Sequence, residues 1–152
     1  MIKTISFVAI VIAVSLAACK SADNKVPEIA SDMCNCFSAT EKNISKSTKD
    51  LFVKAANDDD PQKVLQQELI KLDPEDQVVI NQELMSLSEL QDEKSEIGNC
   101  MKNVEKKYGN AYTRDKNKLG DKIVSELESK KGCDFTASIM KMGLKIDRKN
   151  TK

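Results

Sequence analysis

The sequence predicts an all-α domain, a disulfide-stapled helical bundle of about four to five helices behind a lipoprotein signal peptide. Three observations carry this expectation. Apolar residues recur at spacings of three and four in every periodic stretch, and no run alternates as a half-buried strand would. Two segments open with Asp-Pro, at Asp60-Pro61 and Asp73-Pro74, where the acid is placed to cap a helix and the proline suits its first turn. Four cysteines, Cys34, Cys36, Cys100 and Cys133, follow an export signal, and small exported domains use such cysteines as cross-links.

The export signal comes first. Lys3 precedes the apolar run Ile5 to Val14, which is too short to span a bilayer stably, and Leu16-Ala17-Ala18-Cys19 closes it. That ending has the pattern of a bacterial lipobox. Small residues at 17 and 18 suit a signal peptidase, and the Cys19 sulfur is the nucleophile that takes the diacylglycerol. Residues 1–18 are therefore read as a signal peptide and Cys19 as the lipidated first residue of the mature chain, carrying palmitate. Residues 19–26 form a polar tether, 27–146 the helical domain and 147–152 a frayed tail. Lys20 stands where an aspartate would signal retention at the inner membrane, so the expected location is the outer membrane of the cell envelope.

Removing 18 residues from 152 leaves 134, the size of one domain. The mature chain keeps all 24 acids and 23 of the 24 cations, a balance that argues against nucleic acid as a partner. Aromatic residues make up 4% of the chain and Trp is absent, so the core falls to Leu, Ile, Val and Met. A small core of this kind stabilises weakly, which makes covalent staples plausible.

Taken in order, Ile29, Met33, Cys36, Phe37, Thr40, Ile44, Ser47 and Leu51 predict an amphipathic helix from Pro27 to about Ala56. Asn57-Asp58-Asp59-Asp60-Pro61 interrupts it. A calcium loop counted from Asn57 requires Gly at 62 and finds Gln62, so the acids read as a solvated turn and cap. A short helix over about 61–72 follows, and then the longest run, from Pro74 to Tyr108. Lys94 and Gly98 predict a bend or pause near 94–99 in it, and Gly109 is expected to end it as a left-handed C-cap. Leu119, Ile123, Val124 and Leu127 give a helix over about 115–131, and Asp134 caps a last one carrying Phe135, Ile139 and Met140.

On a helix, Cys34 and Cys36 project about 200° apart and should not bond each other. Each reaches a different neighbour. We favour Cys36–Cys100 with Cys34–Cys133, because Cys36 lies nearer the stripe that should face the longest helix; the exchanged pairing is the alternative. A zinc site built on the same four residues is disfavoured, since Cys-x-Cys on a helix splays its ligands.

No catalytic constellation emerges. The chain has no histidine, which removes the commonest general base and metal ligand. Ser138-Ile139-Met140-Lys141 matches Ser-x-x-Lys, but without the companion motifs of that chemistry. Met33, Met85, Met101, Met140 and Met142 are candidates for an adaptable groove, with core filling as the plainer role. The expected function is a lipid-anchored binding or scaffold module, not an enzyme, with the membrane and an envelope protein as partners and no cofactor or metal. The alternative is a thiol-redox or metal-binding protein using Cys34, Cys36, Cys100 and Cys133.

Cys34-Asn35-Cys36, the segment Cys100-Met101-Lys102-Asn103-Val104-Glu105-Lys106-Lys107-Tyr108-Gly109 and the late Cys133 resemble a group of small helical lipoproteins and exported proteins common in the Bacteroidetes. The resemblance covers about 30–135 and implies a helical exported domain. It carries over no catalytic residue.

Overall fold

The computed structural model describes residues 22–88, 92–112 and 116–150, and within them the chain is helical with no strand. A 3₁₀ turn, Ala22–Lys25, leads into α1 (Val26–Glu41). Then come α2 (Lys46–Asn57), α3 (Pro61–Leu69), α4 (Pro74–Ser88), α5 (Glu96–Tyr112), α6 (Lys116–Ser129) and α7 (Asp134–Asn150). Seven helices among the described residues exceed the expected four to five. The excess comes from two long runs that each divide.

The first division falls inside the stretch expected to be one helix over 27–56. Lys42–Ser45 forms a turn, and the Ser45 hydroxyl accepts the Thr48 N–H at 3.3 Å, capping a new helix. Ile44, in that turn, is buried against α2 and α4, which keeps it on the apolar face without a helix beneath it. The second division falls between α4 and α5. Ser95 Oγ accepts the Gly98 N–H at 2.9 Å, and Ser95 itself bonds back to the Asp92 carbonyl, so Asp92–Ser95 is a capping turn with Lys94 in it. Gly98 has a use there: a Cβ at this position would stand 2.0 Å from the Asp92 carbonyl oxygen, so only glycine lets the turn fold back so closely.

Two further expectations change at helix ends. Gly109 is not a left-handed cap, because α5 continues through it to Tyr112; among the described residues the positive φ belongs to Gly132, at +83°, which turns the chain from α6 into Cys133. The tail expected to fray from 147 instead continues α7 through Asn150. Arg148 reaches Asp121 of α6 at 2.7 Å and Lys149 reaches Asp60 at 2.6 Å, pinning the last turn from two sides.

Two apolar clusters organise the packing. In one, Val26, Ile29, Met33 and Phe37 of α1 meet Ile97, Val104 and Tyr108 of α5, Leu119, Ile123 and Leu127 of α6, and Ala137 of α7. In the other, Ile44, Phe52, Ala55 and Ala56 meet Leu87 of α4 and Phe135 and Met142 of α7. Each fully buried aliphatic or aromatic side chain contributes about 1.5–3 kcal/mol of transfer free energy. Helix α7 joins the two clusters. Phe135 meets Phe52 edge-to-face with centroids 5.5 Å apart, and Ile139 touches both clusters. No helix among the described residues is long and apolar enough to cross a membrane.

Candidate functional site

One turn of α1 carries the covalent hub. Because two residues along a helix advance about 200°, Cys34 and Cys36 leave α1 in different directions. Cys34 is bonded to Cys133, at the start of α7, and Cys36 to Cys100 on α5, with Cα separations of 5.5 and 5.6 Å. Both separations lie within the range a disulfide spans. Cys36 and Cys133 are buried, whereas Cys34 and Cys100 are partly exposed. The four sulfurs are thus consumed as cross-links. Among the described residues no group of His, Cys, Asp or Glu is arranged to hold a metal ion.

Beside the Cys36–Cys100 bridge, α1 and α5 are joined by a polar cluster. Asp32 accepts hydrogen bonds from Lys107 at 2.8 Å and from the Tyr108 hydroxyl at 2.9 Å. Those two donors hold the Asp32 carboxyl below the usual carboxylate range, and Asp32 in turn raises the Lys107 ammonium above its ordinary value. The Lys107 ammonium also lies 4.8 Å from the Tyr108 ring centroid, a cation–π distance. A shallow groove of about 250 Å³ runs alongside, floored by Cys36 and Cys100 and edged by Asp32, Asn35 and Asn103. Beyond this ion pair its lining is formed by Val104, the two asparagines and the bonded cysteines.

A second polar cluster closes the start of α2. The Ser45 N–H and hydroxyl each donate to Glu83 of α4 at 2.9 Å, and the fully buried Thr48 hydroxyl donates to the same carboxylate. Burial opposes ionisation of Glu83, but these hydrogen bonds, with Lys49 nearby, outweigh it and lower its pKa. A carboxylate at a helix N-terminus also opposes the positive end of the macrodipole. Glu83 therefore docks α4 onto α2 by serving as the cap of its neighbour.

The turn at 57–60 is met by cations of α7. Lys141 reaches Asn57 Oδ1 at 3.0 Å, Lys145 reaches the Asp58 carbonyl at 2.7 Å and Lys149 reaches Asp60 at 2.6 Å, at successive i, i+4 positions. Asp60 caps α3 through the Lys63 N–H, and Lys149 and that amide lower its pKa. The turn is a seam between α2, α3 and α7. The Ser-x-x-Lys match also resolves structurally. The Ser138 hydroxyl donates to the Asp134 carbonyl at 2.9 Å, while Lys141 turns to Asn57 and, at 2.9 Å, to Glu128. Serine and lysine are therefore engaged apart. Three of the five methionines share the α1 cluster, Met33 within it and Met101 and Met140 packed against it, while Met142 lies in the α2 cluster and Met85 is 73% exposed on α4. Cys19 lies outside the described residues.

Residue-by-residue reading missed the outer face of α4. Ile80, Leu84 and Leu87 turn inward, and Val78 and Met85, about 20° apart around the axis, lie opposite them. Ile70 is 79% exposed, Val78 56% and Val79 45%. Of the five exposed large apolar side chains among the described residues, Val53, Ile70, Val78, Val79 and Met85, four lie within Ile70–Met85. The signal was present in Val78-Val79-Ile80, where three consecutive apolar residues on a helix cannot share one face.

These features define the class: an all-α protein of short helices, cross-linked twice through one turn. Comparison with known proteins finds no family model that matches the chain, and no similar curated protein or solved structure.

Proposed function

We propose that this chain is a lipid-anchored binding or scaffold module of the bacterial cell envelope. The anchor is the lipid on Cys19, read from Leu16-Ala17-Ala18-Cys19, and the membrane it holds to is the outer one. The observation that carries the binding role is the concentration of exposed apolar side chains between Ile70 and Met85, in the turn before α4 and on the outer side of α4, whose other side is docked by Glu83. An apolar patch of this kind on an otherwise charged surface is the usual mark of a contact site. A metal role needs the four cysteine sulfurs as thiolates, and here they are paired as disulfides.

Two measurements test this reading. Mass spectrometry of the mature N-terminus should find a lipidated Cys19; an unmodified start elsewhere, or a Cys19→Ser protein still in the membrane fraction, contradicts the anchor. A photo-reactive residue at Met85 should give a discrete cross-link to one envelope protein in cells, and the same probe at Glu105 on α5 should not. No adduct from Met85 or Val78 contradicts the binding role.

A further inference from the structure

We infer that one end of the bundle, formed by the start of α1, the last turns of α5 and the first turn of α6, rests on anionic phospholipid headgroups of the leaflet that holds the anchor. This inference rests on the lipid-anchor reading above and names the protein surface that meets the membrane.

Its first support is reach. Residues 19–26 are expected as a polar tether, yet Ala22–Lys25 forms a 3₁₀ turn and Val26 is already buried in the α1 cluster. Only Lys20 and Ser21 stand between Cys19 and that turn. Three residue steps span at most about 11 Å, even fully extended. The headgroup layer is itself about 5–8 Å deep, so the first turn of the domain stands at the membrane surface. Charges there lie within roughly one screening length of the headgroups, about 8 Å at physiological ionic strength. A folded partner does not fit in that gap, since a single helix with its side chains is about 10–12 Å across.

Its second support is the charge that the fold brings to this end. Helix α5 runs antiparallel to α1: Cys36 is bonded to Cys100, Asp32 accepts from Lys107, and the Lys25 ammonium lies 5.9 Å from the Tyr108 ring centroid. Helix α6 starts at the same end, where the 3₁₀ turn packs on it and Val26 shares a cluster with Leu119. The anchor therefore emerges beside the stretch Lys106–Lys118. That stretch carries five cations, Lys106, Lys107, Arg114, Lys116 and Lys118, and one acid, Asp115, in a chain whose charges balance. Lys25, Lys106, Lys107 and Lys118 are exposed. Nearby acids do not cancel the surplus: Asp32 meets Lys107, Asp121 meets Arg148 of α7, and Asp23 and Glu28 are offset by Lys20 and Lys25.

Exposed lysines occur elsewhere on the chain, and what sets this group apart is its place. The cations of α7 face protein, meeting the turn at 57–60, Asp121 and Glu128. Those of Lys106–Lys118 stand where the anchor holds them against the bilayer. Reach alone leaves the domain free to tilt about its short tether, and attraction between the basic stretch and anionic headgroups selects one tilt. A lipid combined with a basic patch is a recurrent two-part attachment. In this orientation Lys46, which follows the far end of α1, and Lys94, which precedes α5, lie away from the membrane.

The test places the full lipidated chain in discs of phosphatidylcholine and in discs that also contain phosphatidylglycerol, and maps lysine reactivity with an amine-acylating reagent read by mass spectrometry. Lys25, Lys106 and Lys118 should react several-fold more slowly in the anionic discs and recover as salt rises, while Lys46 and Lys94 react equally in both. The double variant Lys106→Glu with Lys118→Glu should abolish the protection of Lys25, and Lys46→Glu with Lys94→Glu should leave it intact. These side chains are exposed, so circular dichroism should show each variant folded. Reactivities of Lys25 and Lys106 within twofold between the two discs overturn the inference. So does protection that salt does not relieve, protection of Lys46 and Lys94 instead, or a Lys106/Lys118 double variant protected as well as the parent. A chain that carries no acyl mass on Cys19 or leaves the discs overturns the anchor and this inference together. A lipidated, disc-bound chain with Lys25 and Lys106 unprotected overturns the inference alone and leaves the anchor standing.

Discussion

The two halves of the molecule are held by different means. Around α1, helices arriving from far along the chain are tied by covalent bonds: α5 across a separation of 64 residues and the start of α7 across 99. Around α2, the neighbours α3 and α4 follow closely in sequence, and side-chain caps such as Ser45 with Glu83 and Asp60 with the Lys63 N–H fix how they sit. Closing a long loop costs more chain entropy than closing a short one. Disulfides thus appear where association is entropically dearest. Among the described residues α1 is the helix on which α5 chiefly packs, so the Cys36–Cys100 bridge acts on a helix with one main support.

The largest effect expected from this contrast is that of reduction. In the chain-entropy model each bridge stabilises by ~4–5 kcal/mol, against a typical domain stability of about 5–15 kcal/mol. Removing both with reductant should unfold the protein at room temperature or bring it to the edge of unfolding. Hydrogen exchange during partial reduction should show α5 losing protection before α2. Equal loss in both helices would erase the distinction between the halves.

At the seam between the halves, Phe135→Ala should cost about 3–5 kcal/mol, as large-to-small changes in a packed aromatic site do. Phe135 is 2% exposed and packs on Phe52, so the loss should appear in denaturant midpoints and should loosen the α2 side more than α1. In the capped half, Glu83→Ala should cost ~1–2 kcal/mol, because it leaves the buried Thr48 hydroxyl and the Ser45 N–H without their carboxylate. Glu83→Gln should recover part of it.

The smallest effect is in pH dependence. Asp32, held low by Lys107 and Tyr108, and Glu83, held low by Thr48 and Ser45 against its burial, both have folded pKa values below their unfolded ones. Their stabilisation is present above the unfolded carboxylate range, near pH ~4, and is lost as pH falls through the folded values. The exposed Glu68, paired with Lys54 and Lys71, has a pKa lowered to about 2 and extends the same sign to lower pH. Thermal midpoints should therefore be flat from about pH 8 to 5 and fall below ~4. In Asp32→Asn that fall should be shallower; an unchanged slope would remove the α1–α5 ion pair from the balance.

How much of this was legible in the sequence follows from the range of each interaction. The fold class was readable because helical periodicity is local, and so was the divergence of Cys34 from Cys36, which depends only on two residues of one helix. The break at Lys42–Ser45 was not. Thr40, Ile44 and Ser47 keep helical spacing across it, and Glu83, which closes the new cap, lies 38 residues away. Gly98 read as a helix weakness, because the Asp92 carbonyl that requires it becomes a neighbour only once the turn exists. Gly109 read as a stop for the opposite reason: a glycine signal is permissive, and nothing local says whether it will be used. The outer face of α4 was hidden because helical spacing marks the inward residues Ile80, Leu84 and Leu87 and leaves those off that spacing unread, although Val78-Val79-Ile80 cannot all face inward.

The claim on which the rest depends is that one turn of α1 sends two covalent links to two different helices. A non-reducing peptide map of the native protein tests it directly. Digestion between the cysteines, with cleavage after Asn35 obtained chemically or by fragmentation in the mass spectrometer, should give Cys34 joined to Cys133 and Cys36 joined to Cys100. A Cys34–Cys36 link, the exchanged pairing, or four free thiols in the native protein would contradict the account.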